Sequence, residues 1–457
     1  MIADPMITSS AFAGKRFAVL GLARSGMTAV ETLLASGATV TAWDSREEPR
    51  AVLADCPGID LADPVSIDLA GYAGVVVSPG VPLNRHPIAE VAAAAGVPVI
   101  GDIELFAQAR PSLPAHRVVG ITGTNGKSTT TALVHHLLQS AAIPVRMGGN
   151  IGLPILGQTP LDAGGVYVLE LSSYQIDLTQ SLDCEVAVLL NITPDHLDRY
   201  DSFEAYAASK ARLFAMQRVD HDGVFGLSDA ETATIAEREA ARRAARYIHR
   251  AGGEDIAALQ PDWPSLQGPH NLQNAAAAVA IVEALGLTPA QWRAAMPTFR
   301  GLPHRMERVA EADGVLFVND SKATNPASTA PALGAYPPVA GPGGPNKRLH
   351  WIVGGLPKGD DLDDCAPYFG NVAAAYTIGE AGPMFAELLA PHMPVHRSEM
   401  MAEAIRAAIE ASHPGDVIML SPACASFDQF RDYEARGDTF RQLVEALTSD
   451  STSEAHG

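Results

Sequence analysis

The sequence predicts an α/β protein of three units, each built on a largely parallel sheet. Three observations carry that prediction. KRFAVLGLARSGMTAVETLLASGATVTAWDSRE (15–47) reads as strand, glycine turn, helix and a second strand ending in an acid, which is the rhythm of a βαβ unit. VYVLELSS (166–173) and VAVLLNIT (186–193) are apolar, β-branched runs of the kind buried on both faces of a parallel sheet. The chain of 457 residues exceeds one ordinary core, and its α/β pattern is interrupted near 112 and again near 302.

In order, VVVSPGVP (75–82) and VPVIGDIELF (97–106) continue the first alternation. ARPSLPAHR (109–117) has two prolines and no apolar periodicity, so it reads as a linker. VVGITG (118–123) opens a second unit with a strand, and TTTALVHHLLQSA (129–141) follows with helical spacing. From 202 to 250 the chain reads as mostly helical and Ala-rich. A third unit begins near GLPHRMERV (301–309), with strands expected at VLFVND (315–320), LHWIVGG (349–355), AAYTIG (374–379) and DVIMLSP (416–422). YPPVAGPGGPNK (336–347) reads as a loop, and the tail from 448 as a frayed end. The expected domains are therefore 1–112, 113–302 and 303–457. No internal repeat is visible.

Composition narrows the function. A formal net charge of −20 argues against a nucleic-acid surface, which needs clustered Lys and Arg. The four cysteines are far apart and form no C-x-x-C pair, so neither a zinc site nor a disulfide framework is indicated. No apolar run reaches the roughly 18 residues of a spanning helix, and MIADPMITSSAFAG lacks the basic-then-apolar order of a signal peptide. A cytoplasmic protein without a membrane partner is expected, and a monomer.

The chemistry centres on GITGTNGKST (120–129). It misses the strict pattern G-x-x-x-x-G-K-[ST] by one residue, because Ile121 stands where the first glycine belongs. A strand, a glycine turn and Lys-Ser-Thr at a helix start still suit an anion: the helix N-terminus presents N–H groups and a favourable dipole. Gly123, Thr124, Asn125 and Gly126 would let backbone approach phosphate, Lys127 would reach the β/γ-phosphates of ATP, and Ser128 or Thr129 could ligate Mg²⁺. Read alone, the loop could also be a glycine turn with a solvated lysine.

G-T-N-G-K-S-T (123–129) after a strand resembles the nucleotide loop of the Mur ligases and their relative folylpolyglutamate synthase. The resemblance runs in order along nearly the whole chain. It implies a Rossmann-like N-terminal domain, a P-loop ATPase-like central domain and a Rossmann-like C-terminal domain. It also implies the site residues. Glu170 in ELSSYQID (170–177) resembles the family's Mg²⁺-binding glutamate, although a capping acid is its plain alternative. His196 in NITPDHLDRY (191–200) becomes a second Mg²⁺ ligand. Lys210 in AYAASKARLF (205–214) is on its own a surface lysine, but by resemblance it reacts with CO₂ and, carbamylated, ligates the second of two Mg²⁺ ions. That reaction needs an unprotonated amine. Asn271 and Asn274 in HNLQNAAAAVA would line the adenine site, and Arg305 would reach the ATP phosphates. In FVNDSKATNP (317–326), Asp320 would take the ribose, Lys322 would steady the reacting centre and Thr324 would meet an incoming amino acid.

Within the family, LSPACASFDQFRDYEARG (420–437) is closest to the members that add D-glutamate to UDP-N-acetylmuramoyl-L-alanine. Ser426 and Tyr433 would hold the glutamate side chain, although the second position is usually Phe, and Lys358 would pair with its γ-carboxylate. The D-N-P-R motif of the diaminopimelate-adding members is absent. GLARSG (21–26) has Ala23 where a dinucleotide fingerprint has its middle glycine. As the family's UDP turn it fits, with Arg24 and Ser25 near the pyrophosphate. Asp44-Ser45-Arg46 resembles the uracil-binding D-[ST]-R, Ser78 in SPG (78–80) lies along the same path, and Asn150 in GGNIG would hold the muramoyl end. Three alternatives use some of these features: an L-alanine-adding sister ligase, a folylpolyglutamate synthase, and a non-enzymatic nucleotide-binding regulator. The last would lack the Glu170, His196 and Lys210 set.

Overall fold

The computed structural model describes residues 6–195, 199–341 and 344–454. Three sheets carry the fold. The first has β1 (Arg16–Leu20), β2 (Thr39–Trp43), β3 (Ile59–Leu61), β4 (Gly74–Val77) and β5 (Val99–Ile100), in the order β3-β2-β1-β4-β5. The second has β6 (His116–Thr122), β7 (Val145–Gly149), β8 (Gly165–Glu170), β9 (Val186–Leu189), β10 (Asp222–Gly226) and β11 (Ile248–Ala251), in the order β11-β10-β9-β6-β8-β7. All pairings in these two sheets are parallel.

The third sheet begins with β12 (Glu307–Ala312) and β13 (Val315–Asn319). A small antiparallel pair, β14 (Val339–Gly341) and β15 (Gly344–Asn346), lies outside it. β16 (Leu349–Gly354), β17 (Val372–Ile378), β18 (Val395–Glu399) and β19 (Val417–Leu420) complete the order β12-β13-β19-β16-β17-β18. Within this sheet, among the described residues, only β12 runs antiparallel to its neighbour.

The central strands are buried along their whole length because they are apolar on both faces. Every residue of β8, β9 and β16 is buried. Leu169, Ala187 and Leu189 pack into one cluster with Phe106, Tyr167 and Phe214. The chain forms two compact units: residues up to Asp255 with Gln273–Met296, and Ile256–Leu272 with the residues from Pro297 on. The first unit holds the first two sheets, the second the third sheet.

Some elements differ from the sequence reading. VPVIGDIELF divides into β5 and the helix Asp102–Ala109. That helix docks through Glu104, whose carboxylate accepts the Gln180 and Ser181 N–H groups at 2.7 and 2.9 Å and the Ser181 hydroxyl at 2.7 Å. The region 202–250 is not only helical, since it contributes β10 and β11. Part of the expected loop at 336–347 forms β14 and β15. The tail continues the helix Tyr433–Glu454 as far as the structure describes it.

These topologies place ligand sites. In an open parallel sheet the crevice lies beyond the strand C-termini, where neighbouring connections run to opposite sides. β1 sits between β2 and β4, and β6 between β8 and β9. The turn after β1 and the loop after β6 occupy these switch points.

Candidate active site

The loop after β6 leads into the helix Lys127–Ser140. Gly126 caps that helix at φ 83° and Gly123 stands at φ 152°, backbone regions that glycine enters without strain. A Cβ on Gly126 would lie 2.1 Å from Asn274 Oδ1, so any other residue would have to displace that carboxamide and adopt a left-handed backbone. Lys127 folds over the loop, its Nζ donating to the Gly123 and Thr124 carbonyls at 2.9 and 2.8 Å. Ser128 is buried at the first turn. The loop is thus a closed backbone cradle with a cation lying across it.

Register brings Glu170 to this cradle, since Ile121 of β6 pairs with Glu170 at the end of β8. Glu170 is 3% exposed. Its Oε1 accepts from Asn150 Nδ2 at 3.2 Å, while its Oε2 has no hydrogen-bond partner among the described residues. An ionised buried oxygen without a partner is costly. A divalent cation would satisfy it, and carboxylate oxygen is the donor such a hard ion takes. Mg²⁺ therefore fits the residues present. No group of three or more His, Cys, Asp or Glu is gathered for a metal among the described residues, and His196 lies outside them.

Lys210 is not a surface residue. It stands on the helix Phe203–Ala215, whose N-cap Ser202 accepts from the Ala205 N–H, and it is 1% exposed. Its Nζ donates to the Gly123 carbonyl at 2.9 Å and lies 4.6 Å from the centre of the Tyr206 ring. Burial, and then the nearby Lys127 ammonium, pull its pKa from 10.5 down to about 7. The neutral amine is thereby brought within reach of neutral pH. Asn274 lies beside the loop and its Oδ1 accepts from Thr130 Oγ1 at 3.4 Å. Asn271 is buried, donating to the Gln267 carbonyl at 3.1 Å.

A cavity of about 180 Å³ opens nearby, lined in part by Pro79, Val81, Tyr174, Asp177, Arg199 and Tyr200. Arg199 lies 4.4 Å over the Tyr174 ring and donates to the Val81 carbonyl at 3.2 Å. The cavity joins the segment after β4 to the helix that follows Glu170.

At the first switch point, Ser78 Oγ donates to the Gly21 carbonyl at 2.7 Å. Asp44 accepts the Leu22 N–H at 2.7 Å and the Arg46 N–H at 3.0 Å, with Arg46 Nε at 3.2 Å. Partial burial pushes the Asp44 pKa up, but Arg46 and the two N–H groups outweigh it, leaving the carboxylate below its usual range. Arg24 and Ser25 open the helix Arg24–Ala35, and Ser45 and Arg46 are exposed.

In the third sheet, Asp320, Lys322 and Thr324 follow β13. Asp320 is buried and fully engaged: Oδ1 accepts the Met306 N–H at 3.1 Å and Oδ2 the Ser421 hydroxyl at 2.8 Å. Burial pushes its pKa up to about 7, against the lowering effects of Ser421, Met306 and Arg305. Lys322 Nζ lies 5.0 Å from the Tyr433 ring centre, and Lys358 Nζ donates to Thr324 Oγ1 at 3.2 Å. Ser426 is buried. Thr324 and Tyr433 are thus each drawn to a lysine, Lys358 and Lys322.

Comparison with known proteins decides the family. Residues 15–101 match the model of the Mur ligase MurD-like N-terminal domain, 121–282 the Mur ligase middle domain, and 304–424 the Mur ligase glutamate ligase domain. The chain is 69% identical to the UDP-N-acetylmuramoylalanine--D-glutamate ligase of Novosphingobium aromaticivorans, over 97% of this chain and 98% of that protein. The chain belongs to the Mur ligase family. The same-named ligase of Sphingopyxis alaskensis is 60% identical, over 97% of this chain and 100% of that protein. Among solved structures, MurF ligase of Thermotoga maritima in complex with ADP has a TM-score of 0.56 at 15% identity, covering 97% of this chain and 99% of that one. MurC of the same organism has a TM-score of 0.55 at 16% identity, covering 95% and 99%. These two show the Mur ligase fold.

Sequence reasoning missed several residues of this Mur ligase site. Arg436 is 1% exposed and donates to Ser321 Oγ and to the Ser321, Cys424 and Ala425 carbonyls. Asn191 bonds to the phosphate loop. Tyr206 packs on Lys210 and meets Thr124 Oγ1 at 3.2 Å. All three lie in segments named above; a polar residue just past a strand was the available signal for Asn191, whereas Arg436 and Tyr206 sit on helices and gave none.

Proposed function

We propose that the chain is an ATP-dependent acid–D-amino-acid ligase that joins D-glutamate to UDP-N-acetylmuramoyl-L-alanine in peptidoglycan synthesis. The observation that carries this reading is identity of 69% over 97% of the chain to a ligase of that name. The loop, Glu170 and Lys210 support it. No helix of the described residues is long and apolar enough to cross a membrane. We place the enzyme in the cytoplasm as a monomer, with domains 1–112, 113–302 and 303–457.

An amine cannot displace oxide from a carboxylate, so the carboxylate must first be activated. An oxygen of the L-alanyl carboxylate attacks the γ-phosphorus of ATP, the bond to the β-bridging oxygen breaks, and ADP leaves. The acyl phosphate is then attacked at carbon by the D-glutamate amine. The tetrahedral intermediate expels phosphate, and the amine loses a proton as the amide forms. Gly123–Thr129 cradle the phosphates, and Lys127 leaves its two carbonyls to offset γ-phosphoryl charge. Asn271 and Asn274 take adenine, Arg305 the phosphates and Asp320 the ribose. Ser128, Glu170, His196 and Lys210 would hold two Mg²⁺ ions, which when bound neutralise charge on the transferring phosphoryl group.

Lys210 enters that set as its carbamate, formed when the neutral amine adds CO₂ and releases a proton. The pKa near 7 makes that amine available. Arg24, Ser25 and Ser78 hold the pyrophosphate, Asp44, Ser45 and Arg46 the uracil, and Asn150 the muramoyl end. Lys322 steadies the reacting centre, and Thr324, Lys358, Ser426 and Tyr433 hold D-glutamate. Exclusion of water protects the acyl phosphate from hydrolysis.

The test is phosphate release from ATP with UDP-N-acetylmuramoyl-L-alanine, comparing D-glutamate, L-glutamate, L-alanine and no amino acid. Release only with D-glutamate is expected. Release with L-alanine on the unsubstituted muramoyl nucleotide, and none with D-glutamate, would replace this reading with the sister activity.

A further inference from the structure

Asn191 follows β9 and belongs to none of the groups given a role above. Its carboxamide bonds to both backbone polar groups of one phosphate-loop residue, Asn125. Oδ1 accepts the Asn125 N–H at 2.8 Å, and Nδ2 donates to the Asn125 carbonyl at 3.1 Å. Its own carbonyl accepts the Thr124 N–H at 2.9 Å. Two residues on, the Thr193 N–H donates to Thr124 Oγ1 at 3.0 Å. The segment is anchored from behind, since the Ile192 N–H donates to Asp229 Oδ2 at 3.1 Å and Asp229 caps the helix Ala230–Arg242.

A carboxamide carries an acceptor and a donor side by side, which is what one residue's N–H and C=O require here. Aspartate lacks the donor and alanine lacks both. Asn125 is exposed and Gly123 and Gly126 flank it within three residues. That backbone has little intrinsic stiffness, so the loop needs an outside brace to keep one shape. Asn191 also lines the recess shared with Asn274, Gln273 and Ser228, which sets it between that recess and the loop.

We propose that Asn191 is a positioning residue of the phosphate loop, holding the Asn125 backbone N–H and C=O so that the loop keeps its receiving shape before ATP binds. The proposal rests on the reading of this loop as the ATP site. Pre-ordering the loop removes part of the entropy lost on binding.

The experiment is steady-state kinetics of the full-length enzyme and of the N191A and N191D variants, with melting temperatures measured without nucleotide. Asn191→Ala is expected to raise KM for ATP about tenfold, which corresponds to about 1.4 kcal/mol, while KM for D-glutamate and the melting temperature stay at the unaltered values. Asn191→Asp, nearly isosteric, keeps one contact but turns a carboxylate oxygen toward the Asn125 carbonyl, and is expected to raise KM for ATP further. It carries the test if the alanine variant does not fold. An unchanged KM for ATP, or equal rises in both KM values with a fallen melting temperature, would overturn the proposal. Absence of ATP turnover in the unaltered enzyme would instead remove the reading beneath it.

Discussion

Two buried acids at strand ends do different work. Glu170, closing β8, leaves one oxygen without a partner beside the phosphate loop. Asp320, following β13, spends both oxygens on its own unit, one on the Met306 N–H and one on the Ser421 hydroxyl. Burial and strand position alike are shared. The difference is what each carboxylate still lacks: Glu170 needs a ligand to complete it, whereas each Asp320 oxygen already has a protein donor and would meet the ribose only through a remaining lone pair. An unsatisfied buried oxygen is the better marker of chemistry, because a folded chain keeps such a cost only where something else relieves it.

The largest expected effect tests that contrast. Glu170→Gln keeps an acceptor for Asn150 but removes the charge a cation requires. It is expected to lower kcat on the order of 10³-fold while leaving the melting temperature within about 2 °C. A rate near that of the unaltered enzyme would place Glu170 with the framework acids and dissolve the distinction.

Asp320→Asn probes the other side. The folded Asp320 holds its proton to about pH 7 and the unfolded carboxyl only to about 3.8. Between those values the folded state binds more protons, so stability falls as pH rises from about 4 to 7. Asparagine keeps an acceptor for the Met306 N–H and offers Ser421 Oγ an N–H in place of the oxygen that accepted its hydroxyl, and it does not titrate. The variant is expected to cost about 1 kcal/mol at pH 5 and to lack that decline. Urea midpoints measured from pH 4 to 8 check it, and parallel curves for the two proteins would refute it.

Much of this contrast was hidden in the sequence, for physical reasons. The loop was legible because phosphate approach dictates glycine at fixed positions, and the buried strands because apolar β-branched runs have few other uses. β10, DGVFG, was not: two glycines and an acid give no alternation, and its burial comes from β9 and β11 on either side. Lys210 was named only through family resemblance. Its Ala-rich helix reads as solvated, and what buries it is the Gly123 carbonyl and Tyr206, the first 87 residues away. Glu170 and Asp320 look alike in sequence, since which oxygen finds a partner depends on residues far along the chain. Arg436 illustrates the same limit. Its charge suggested solvent, yet four backbone or hydroxyl oxygens from two loops surround it.

The part of the C-terminal unit proposed to hold D-glutamate sharpens the comparison at smaller scale. Lys358 and Thr324 bond to each other at 3.2 Å, so this pair, unlike Asp320, can exchange its contact for a ligand's. Lys358→Ala is expected to raise KM for D-glutamate about tenfold, the cost of one charged hydrogen bond, with KM for ATP unchanged. A rise in KM for ATP instead would assign Lys358 to the nucleotide.

Tyr433 carries the smallest expected effect and the most pointed one. Its ring takes the Lys322 ammonium at 5.0 Å and the His304 ring at 6.1 Å. Both contacts use the ring face and edge, and phenylalanine, the usual residue here by family resemblance, keeps them. The hydroxyl is the only group that distinguishes the two. Burial and the neighbouring Glu434 carboxylate push its pKa above the ordinary phenol value, so it remains a neutral donor throughout the working range. Tyr433→Phe is therefore expected to change KM for D-glutamate by less than about twofold, since the ring holds Lys322 in place and the half-buried hydroxyl is already engaged with the Glu434 carboxylate. A tenfold rise would show that this chain has added a hydroxyl contact to the substrate. Tyr433 would then stand with Glu170, as a group whose polar atom is kept for a ligand rather than for the fold.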